Sequence, residues 1–216
     1  MRNDWAVRLG SLLLVVVVLV GCSREPERYD FGVAVAGGPQ GWPIWGEKVV
    51  FDDRWRVGAG AIDSGYESVP PTGKVSVISN PREAPQKVFA RWFSHRNQTF
   101  YEIHLTLPED MAQQVARWYR QYPRSDYLHT LIVGLSGAGE AKVLWTASCM
   151  SCEWRDFSKD FQATLIAGAQ GQEVEGDPYP YVYQTTDFVD QGVIPLPDGF
   201  QREEMPPIKS WFSGEQ

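Results

Sequence analysis

The sequence has no apolar run long enough to cross a membrane as a helix. Its longest uninterrupted run is Leu12–Val20, and even the wider stretch from Leu9 to Gly21 covers only 13 residues. A membrane-spanning helix needs about 20 residues. The run lies near the start of the chain and follows Arg2 and Arg8. A basic start and a short apolar segment are typical of a secretory signal peptide.

A cysteine stands directly after this apolar run. The string Leu19-Val20-Gly21-Cys22 resembles a lipobox, the site at which bacteria attach diacylglycerol to a cysteine and then cleave the chain in front of it. An ordinary signal peptide followed by an incidental cysteine is the alternative. We expect residues 1–21 to form a lipoprotein signal peptide, Cys22 to carry the lipid, and residues 22–28 to form a polar tether.

The lipid would decide where the protein lies. One buried acyl chain gives only marginal membrane binding, whereas several chains together give stable anchoring. A bacterial lipoprotein carries more than one chain, so the folded part would stay at the membrane. Ser23 follows the cysteine, at a position where aspartate often signals retention in the inner membrane. We therefore expect a lipid-anchored protein on the periplasmic face of the outer membrane.

Basic residues are in short supply. Lys and Arg number 20 against 27 Asp and Glu, which gives a net charge of −7. Residues 1–21 carry a charge of +1, so the chain without them has a net charge of −8. Binding to a nucleic-acid backbone depends on clustered Lys and Arg. The composition therefore argues against a nucleic-acid partner.

The shortage of basic residues is greatest near the end of the chain. Residues 160–201 contain no Lys or Arg but seven acidic residues, and they include the string PYPYVY. The prolines exclude a central strand, but an extended string would point its three tyrosines to one side. Aromatic residues framed by charge of one sign are typical of an interface for a basic partner; a solvated loop whose tyrosines pack on the sheet is the alternative. The candidate partner-binding residues are Glu173, Glu175, Asp177, Tyr179, Tyr181 and Tyr183.

Only two cysteines remain after Cys22, and they form the string Cys149-Met150-Ser151-Cys152. The periplasm is oxidising, so a small loop closed by a disulfide between Cys149 and Cys152 is our main expectation. A thioredoxin-like redox centre has the same spacing but needs the motif at the start of a helix. The preceding residues indicate a strand end, and the following ones lack an amphipathic pattern. Reduced thiols or a metal site are the remaining alternatives.

Motifs for catalysis and for cofactor binding are also missing. The sequence contains neither a phosphate-binding glycine loop nor a dinucleotide fingerprint. Gly134–Ala138 approaches the nucleophile elbow of hydrolases, but it lacks the final glycine and precedes a predicted strand, which favours a hairpin turn. His95 and His104, with Glu102 nearby, are too widely spaced for a typical metal site, and we interpret them as polar residues on solvent-facing strands. We predict no catalytic residue, no metal and no cofactor, and therefore a protein that is not an enzyme.

Alternation of apolar and polar residues predicts a mostly β fold. The clearest signal is a hairpin, in which Lys87–His95 and Thr99–Leu107 alternate between two faces on either side of a short turn. Paired strands with one buried face show this period of two. Segments rich in β-branched and aromatic residues predict further strands: Tyr29–Val35, Glu47–Phe51, Trp55–Ile62, Lys74–Ser79, Leu128–Leu135, Ala141–Ser148 and Asp160–Ala169.

One segment predicts a main helix. Met111, Val115, Trp118 and Tyr122 recur at spacings of three or four, acidic residues precede them, and Pro123 ends the pattern. The last 40 or so residues are rich in proline and predict loops. We expect a single α+β domain over residues 29–216, an antiparallel β-sheet or sandwich with one main amphipathic helix packed on it.

Several segments together resemble a known family. They are the lipobox, the string WFSHRNQTFYEIHLTLPEDMAQQ and the string LIVGLSGAGEAKVLW. Together they are similar to an uncharacterised family of proteobacterial lipoproteins, a domain of unknown function, in which a strand ending in Leu-Pro leads into a helix. The likeness covers most of residues 29–150 and implies no catalytic residue.

Members of that family and similar lipoproteins resemble immunity proteins encoded beside type VI secretion effectors, particularly phospholipases. The resemblance implies a protein that binds a secreted lipase effector in the periplasm and neutralises it by occlusion. The alternative function is that of an envelope accessory lipoprotein, which would bind an assembly partner or a cell-wall ligand.

Overall fold

The computed structural model describes residues 27–63, 65, 67, 71, 73–76, 81–152 and 160–202. The predicted signal peptide, the lipidation site Cys22 and most of the predicted tether lie outside these residues. Within them the chain forms eleven β-strands, two α-helices and one short 3-10 helix. No helix in this part of the chain is long and apolar enough to cross a membrane.

Five strands form the first sheet. They are β1 (Gly32–Gly37), β5 (Lys74–Ser76), β8 (Tyr127–Leu135), β9 (Glu140–Cys149) and β10 (Phe161–Gln170). Their order across the sheet is β10-β9-β8-β1-β5. β1 runs parallel to β8, and the other neighbouring pairs are antiparallel.

Six strands form the second sheet, and all its neighbouring pairs are antiparallel. They are β2 (Ile44–Phe51), β3 (Trp55–Val57), β4 (Gly60–Ile62), β6 (Lys87–Ser94), β7 (Thr99–Thr106) and β11 (Gln172–Val174). The order is β11-β7-β6-β2-β3, and β4 also pairs with β2. The predicted hairpin is therefore confirmed as β6 and β7.

The two sheets pack face to face around one hydrophobic core. Alternate residues of strands from both sheets enter it, such as Val33 from β1 and Ala90 from β6. Trp92 on β6 also reaches across, and its Nε1 donates to the carbonyl oxygen of Ser136 at 2.9 Å. A buried indole N–H needs such a partner. This hydrogen bond joins the second sheet to the end of β8 in the first.

Between β10 and β11 the chain passes from the first sheet to the second at a single glycine. β10 ends at Gln170 and β11 begins at Gln172, so only Gly171 lies between them. A Cβ atom at this position would lie 2.8 Å from the ring of Trp92 and 3.2 Å from the carbonyl oxygen of Glu102. Only glycine therefore fits where the chain crosses this corner of the sandwich.

The predicted helix is confirmed as α1 (Met111–Gln121). It buries Met111 and Val115 in the core, and the ring of Trp118 stacks on Trp145 of β9 at a centroid distance of 5.5 Å. Pro123 follows the last residues of the helix, as the pattern predicted. α1 thus covers a part of the first sheet.

Buried His129 fastens the end of α1 to the first sheet. Trp145 Nε1 donates to His129 Nδ1 at 3.0 Å, so the ring proton is on Nε2, which donates to the carbonyl oxygen of Tyr122 at 2.8 Å. A carbonyl that the helix end leaves without an intrahelical partner is thereby satisfied. Burial lowers the pKa of His129, which agrees with a neutral ring.

The structure confirms the predicted fold class, a mostly β sandwich with a main helix, but two local predictions are wrong. Trp55–Ile62 is not one strand, because the chain turns before Gly60, whose φ is +74°, and β3 and β4 pair separately with β2. The segment predicted as loops contains a 3-10 helix at Tyr179–Tyr181 and α2 (Val182–Asp190). Of the predicted strand Lys74–Ser79, residues 77–79 lie outside the described residues.

Candidate partner-binding site

The outer face of the second sheet carries two buried aromatic residues. Phe93 on β6 and Phe100 on β7 are directly paired, and their ring centroids lie 4.8 Å apart. They alternate with Trp92 and Tyr101, which face the core between the sheets. Phe93 and Phe100 are nevertheless only 0% and 3% exposed. The chain after β11 covers them.

Tyr181 is at the centre of this cover. Its ring stacks on Phe93 at a centroid distance of 4.7 Å and lies 5.8 Å from Trp45 and 5.9 Å from Phe100. Its hydroxyl donates to Glu47 Oε1 at 2.5 Å. Burial and the hydrogen bond to Glu47 raise the pKa of Tyr181 above its usual value. We call Trp45, Phe93, Phe100 and Tyr181 the aromatic layer.

A charged network runs beside the aromatic layer. Arg91 on β6 donates from Nε to Glu47 Oε2 on β2 and from Nη1 to Glu102 Oε1 on β7, both at 2.6 Å. Its Nη2 donates to the carbonyl oxygen of Glu175 at 2.9 Å. One arginine therefore bridges two carboxylates and also holds the backbone that leads from β11 to α2.

His95 is buried beneath α2, just after the end of β6. Its Nδ1 lies 2.8 Å from Thr185 Oγ1, and its ring packs against Phe188 and Phe93 at centroid distances of 5.0 and 5.2 Å. Among the described residues its Nε2 has no hydrogen-bond partner. Burial lowers the pKa of His95 to about 4, so the ring is neutral at pH 7.

The prediction that His95 faces solvent is therefore wrong, because α2 covers this end of the sheet. His104 is exposed on β7, as predicted. In the part of the chain that the structure describes, no three His, Cys, Asp or Glu side chains form a group that could hold a metal ion.

Above the aromatic layer, the chain from β11 to α2 exposes tyrosines and carboxylates to solvent. Tyr179 is 63% exposed and Tyr183 is 41% exposed, and neighbouring acidic residues are exposed as well. We call this set the acidic surface, and it consists of Glu175, Asp177, Tyr179, Tyr183 and Asp187. Glu173 is exposed as well, but it pairs with core-facing Tyr101 and therefore lies on the other face of β11.

The PYPYVY string is not extended, so its three tyrosines do not lie on one side. The string is helical, so successive side chains turn by about 100° instead of alternating. Tyr181 faces the sheet, whereas Tyr179 and Tyr183 face solvent. The sequence did not distinguish the two exposed tyrosines from Tyr181, which packs on the sheet.

A cavity of about 440 Å³ opens on the acidic surface. Asp177 and Asp198 line it together with the rings of Tyr179 and Phe200. Arg202 also lines it, but this arginine is held in an ion pair with a carboxylate at the end of α2. Two carboxylates beside aromatic rings are suited to the cationic head of an arginine or lysine side chain.

The supporting residues Glu47, Arg91, Phe93 and Phe100 were not singled out from the sequence. One signal was available, because Phe93 and Phe100 are large apolar residues on strand faces that also carry Arg91, Glu102 and His104. An aromatic pair on an otherwise polar face indicates that another part of the chain covers it.

The other sequence motifs lie on the first sheet. Cys149 and Cys152 form a disulfide at the end of β9, with their Cα atoms 5.6 Å apart, in agreement with the main expectation. Gly134–Ala138 forms the end of β8 and a tight turn, in which the N–H of Ser136 donates to the carbonyl oxygen of Glu140 at 2.8 Å. Ser136 is 1% exposed, and the interpretation as a hairpin turn is confirmed.

Comparison with known proteins places the chain in a family. The family model described as "Protein of unknown function (DUF2931)" matches residues 23–196, which is more than half of the chain, so the chain belongs to that family. The match includes β11 and α2 and extends beyond the part that the sequence motifs covered. No curated protein and no solved structure matches the chain.

Proposed function

We propose that this member of the DUF2931 family is a membrane-anchored periplasmic binding protein that neutralises a secreted phospholipase effector by occlusion. The observation that carries the binding role is the acidic surface, where exposed tyrosines and carboxylates stand on a rigid aromatic layer. The resemblance of residues 19–22 to a lipobox supports the membrane anchor. The likeness to immunity lipoproteins of type VI secretion supports the choice of partner.

The support beneath the acidic surface favours binding. Tyr179 and Tyr183 flank Tyr181, whose ring stacks on Phe93 and whose hydroxyl is bonded to Glu47. The backbone is therefore ordered before a partner arrives, and this reduces the entropy lost on association. Exposed tyrosines on an ordered backbone are frequent hot spots of protein interfaces.

The charge of the surface limits the choice of partner. No Lys or Arg occurs in residues 160–201, and the nearest cation lining the cavity, Arg202, is already paired with Asp190 at 3.0 Å. A field of one sign accelerates encounter with a surface of the opposite sign. We therefore expect the effector to bring a basic patch, with an arginine or lysine inserted between Asp177 and Asp198.

Anchoring would add to the inhibition. A binding protein held at the membrane has a high effective concentration where a phospholipase must reach its substrate. Covering the lipase surface that approaches the lipid would then be sufficient, and no chemistry by the binding protein would be required.

The first test is calorimetric titration of the chain from Ser23 onward with the product of the neighbouring reading frame. This chain retains every described residue. We expect a nanomolar Kd, together with loss of lipase activity at equimolar binding protein. A neighbour that does not bind, or that has no toxic activity, contradicts the proposal and favours the envelope accessory role.

A test variant and a control variant show whether the effector binds at the acidic surface. Asp177→Asn together with Tyr179→Ala should weaken binding by about 100-fold or more, as loss of an interface hot spot does. Asp53→Asn is the control, because Asp53 is an exposed acidic residue of the β2–β3 turn and asparagine tolerates its φ of +54°. Equal weakening by the control would show that only total charge matters and would remove the acidic surface from the proposal.

A further inference from the structure

A second cavity, of about 340 Å³, lies beside the turn between β2 and β3. Its lining differs from that of the first cavity because arginines dominate it. The lining residues are Arg28, Arg54, Arg82, Trp55, Asp52 and Glu83, with Pro81 at the margin.

The three arginines of this cavity differ from four other arginines of the protein. Arg91, Arg117, Arg124 and Arg202 each form an ion pair with a carboxylate. In the described part of the chain, the three arginines that line the cavity form no ion pair. Three guanidinium groups that line one cavity repel one another, and a bound anion would relieve that repulsion.

The two carboxylates of the lining do not neutralise the cavity. Asp52 has a structural task, since its Oδ1 accepts the backbone N–H groups of Gln86 and Lys87, each at 2.8 Å. Counting Asp52 and Glu83 against the three arginines leaves the lining with a charge of +1. The chain without residues 1–21 has a net charge of −8, so this end of the molecule is locally of the opposite sign.

Arg82 supplies an independent sign of a missing acceptor. Its guanidinium lies 4.6 Å from the centroid of the Trp55 ring, which holds it in place by a cation–π contact. Its Nε is shielded from solvent and has no hydrogen-bond partner among the described residues. A shielded donor without an acceptor is unfavourable, and an anion in the cavity would provide one.

We propose that this cavity binds a phosphate group, and that at the membrane this is the headgroup phosphate of an anionic lipid. Guanidinium groups bind phosphate through paired, charge-assisted hydrogen bonds. The ring of Trp55 offers an apolar wall to the glycerol part of the same headgroup. A soluble phosphate ester shares this chemistry and would occupy the same arginines.

The position of the cavity explains the choice of a lipid. Arg28 is six residues after Cys22, and six extended residues reach at most about 20 Å. A lipid on Cys22 would therefore hold the cavity within reach of the membrane surface. This placement rests on the proposed lipid anchor, whereas binding of phosphate by the three arginines does not.

Occupation of the cavity would also orient the domain. The β2–β3 turn lies at the Lys87 end of β6, and His95 and α2 lie at the Ser94 end. A domain held to the membrane by the arginine-lined cavity would turn the acidic surface away from the lipid. That is the side on which a partner arriving through the periplasm would meet it.

The test uses the unlipidated chain from Ser23, with two probes and two variants. The probes are glycerol 3-phosphate, measured by calorimetry, and phosphatidylcholine vesicles with or without about 30% phosphatidylglycerol, measured by cosedimentation. The test variant carries Arg28→Gln and Arg54→Gln. The control carries Arg56→Gln and Arg117→Gln, which remove the same charge from exposed positions outside the cavity.

We expect binding of both glycerol 3-phosphate and phosphatidylglycerol vesicles. The test variant should weaken vesicle binding by about 25-fold, since each arginine contributes about fivefold at an anionic surface, and the control should change it less than about threefold. Binding of glycerol 3-phosphate without binding of vesicles would overturn the lipid and leave a soluble phosphate ester as the ligand. Failure of both probes, or equal weakening by the control, would overturn the site. No effector is present, so neither result bears on effector binding.

Discussion

The two ends of the second sheet use arginine in opposite ways. At the Ser94 end, Arg91 is bonded to Glu47, Glu102 and a backbone carbonyl beneath the C-terminal segment. At the Lys87 end, the three arginines of the cavity converge without an ion pair among the described residues. A paired arginine contributes to structure, and an unpaired cluster remains available to a ligand. The comparison therefore separates a structural arginine from the arginines of the proposed phosphate site.

The two ends are far enough apart to act independently. β6 spans Lys87–Ser94, and eight residues of strand cover roughly 25 Å. A phosphate in the arginine-lined cavity would not touch a partner on the acidic surface. Both proposed sites could then be occupied at once.

The largest expected effect tests what the aromatic layer contributes. Phe93→Ala should lower the free energy of unfolding by about 4 kcal/mol, because it opens a cavity beneath Tyr181 in a fully buried position. Phe89→Ala is the matched control on the same strand and face, where Phe89 is only half-buried, and we expect about 1 kcal/mol. Urea denaturation measures both variants. Equal losses would show that the C-terminal cover adds nothing to this end of the sheet.

The second largest effect is expected from acid, which should destabilise the Ser94 end of the second sheet, where His95 is buried. The pKa of His95 is about 4 when folded and about 6.5 when unfolded. The unfolded state therefore binds more protons between these values, so stability is complete above pH 6.5 and is lost as pH falls towards 4. The loss at the lower limit is about 3 kcal/mol.

His95→Asn isolates this contribution, because the asparagine amide can replace Nδ1 in the contact with Thr185. Urea denaturation between pH 8 and pH 4.5 should give a shallower pH dependence for the variant than for the unchanged chain. His129 titrates in both proteins and cancels in the comparison. An equal pH dependence of the unfolding free energy in the two proteins would show that protonation of His95 does not affect stability.

The contrast between paired and unpaired arginine can be measured directly. Arg91→Gln should cost about 2 kcal/mol of unfolding free energy, because Glu47 and Glu102 lose their shared cation in a partly buried site. Arg54→Gln should change stability by less than about 0.5 kcal/mol, since it breaks no ion pair with a described residue. Denaturation at low and high salt checks both values. A similar cost for the two variants would contradict the comparison.

The smallest expected effect concerns one hydroxyl group. Tyr181→Phe should cost about 1 kcal/mol, because the Glu47 carboxylate loses a charge-assisted hydrogen bond. Tyr183→Phe, at an exposed position of α2, should cost less than about 0.5 kcal/mol. Thermal unfolding in the same buffer compares the pair, and a larger loss for Tyr183→Phe would contradict the roles given to the two tyrosines.

The period-two hairpin was predictable because each strand pairs with its neighbour in sequence. Trp92 and Tyr101 alternate with Arg91 and Glu102, and the alternation alone indicates which face enters the core. α1 was predictable for the same reason, since Met111 and Val115 repeat at helical spacing before Pro123. Such local patterns indicate which face of a strand or helix is buried.

α2 was not predictable in this way. Val182–Asp190 contains β-branched and aromatic residues, follows two prolines and has no side chain that caps its start, so its intrinsic helix propensity is weak. Contacts with the sheet, such as Thr185 on His95 and Phe188 on the same ring, stabilise it instead. Helices of this length depend mainly on tertiary packing.

The sequence by itself determined the acidic charge, the short apolar run before Cys22, the Cys149–Cys152 spacing and the strands whose neighbours are close in the chain. Only the tertiary structure decided which tyrosine packs on the sheet, which two histidines are buried, and that arginines at positions 28, 54 and 82 share a cavity. The physical reason is the range of the contacts. A strand or helix pattern depends on residues a few positions apart in the sequence. A site is formed by segments that are distant in the sequence and come together only in the complete fold.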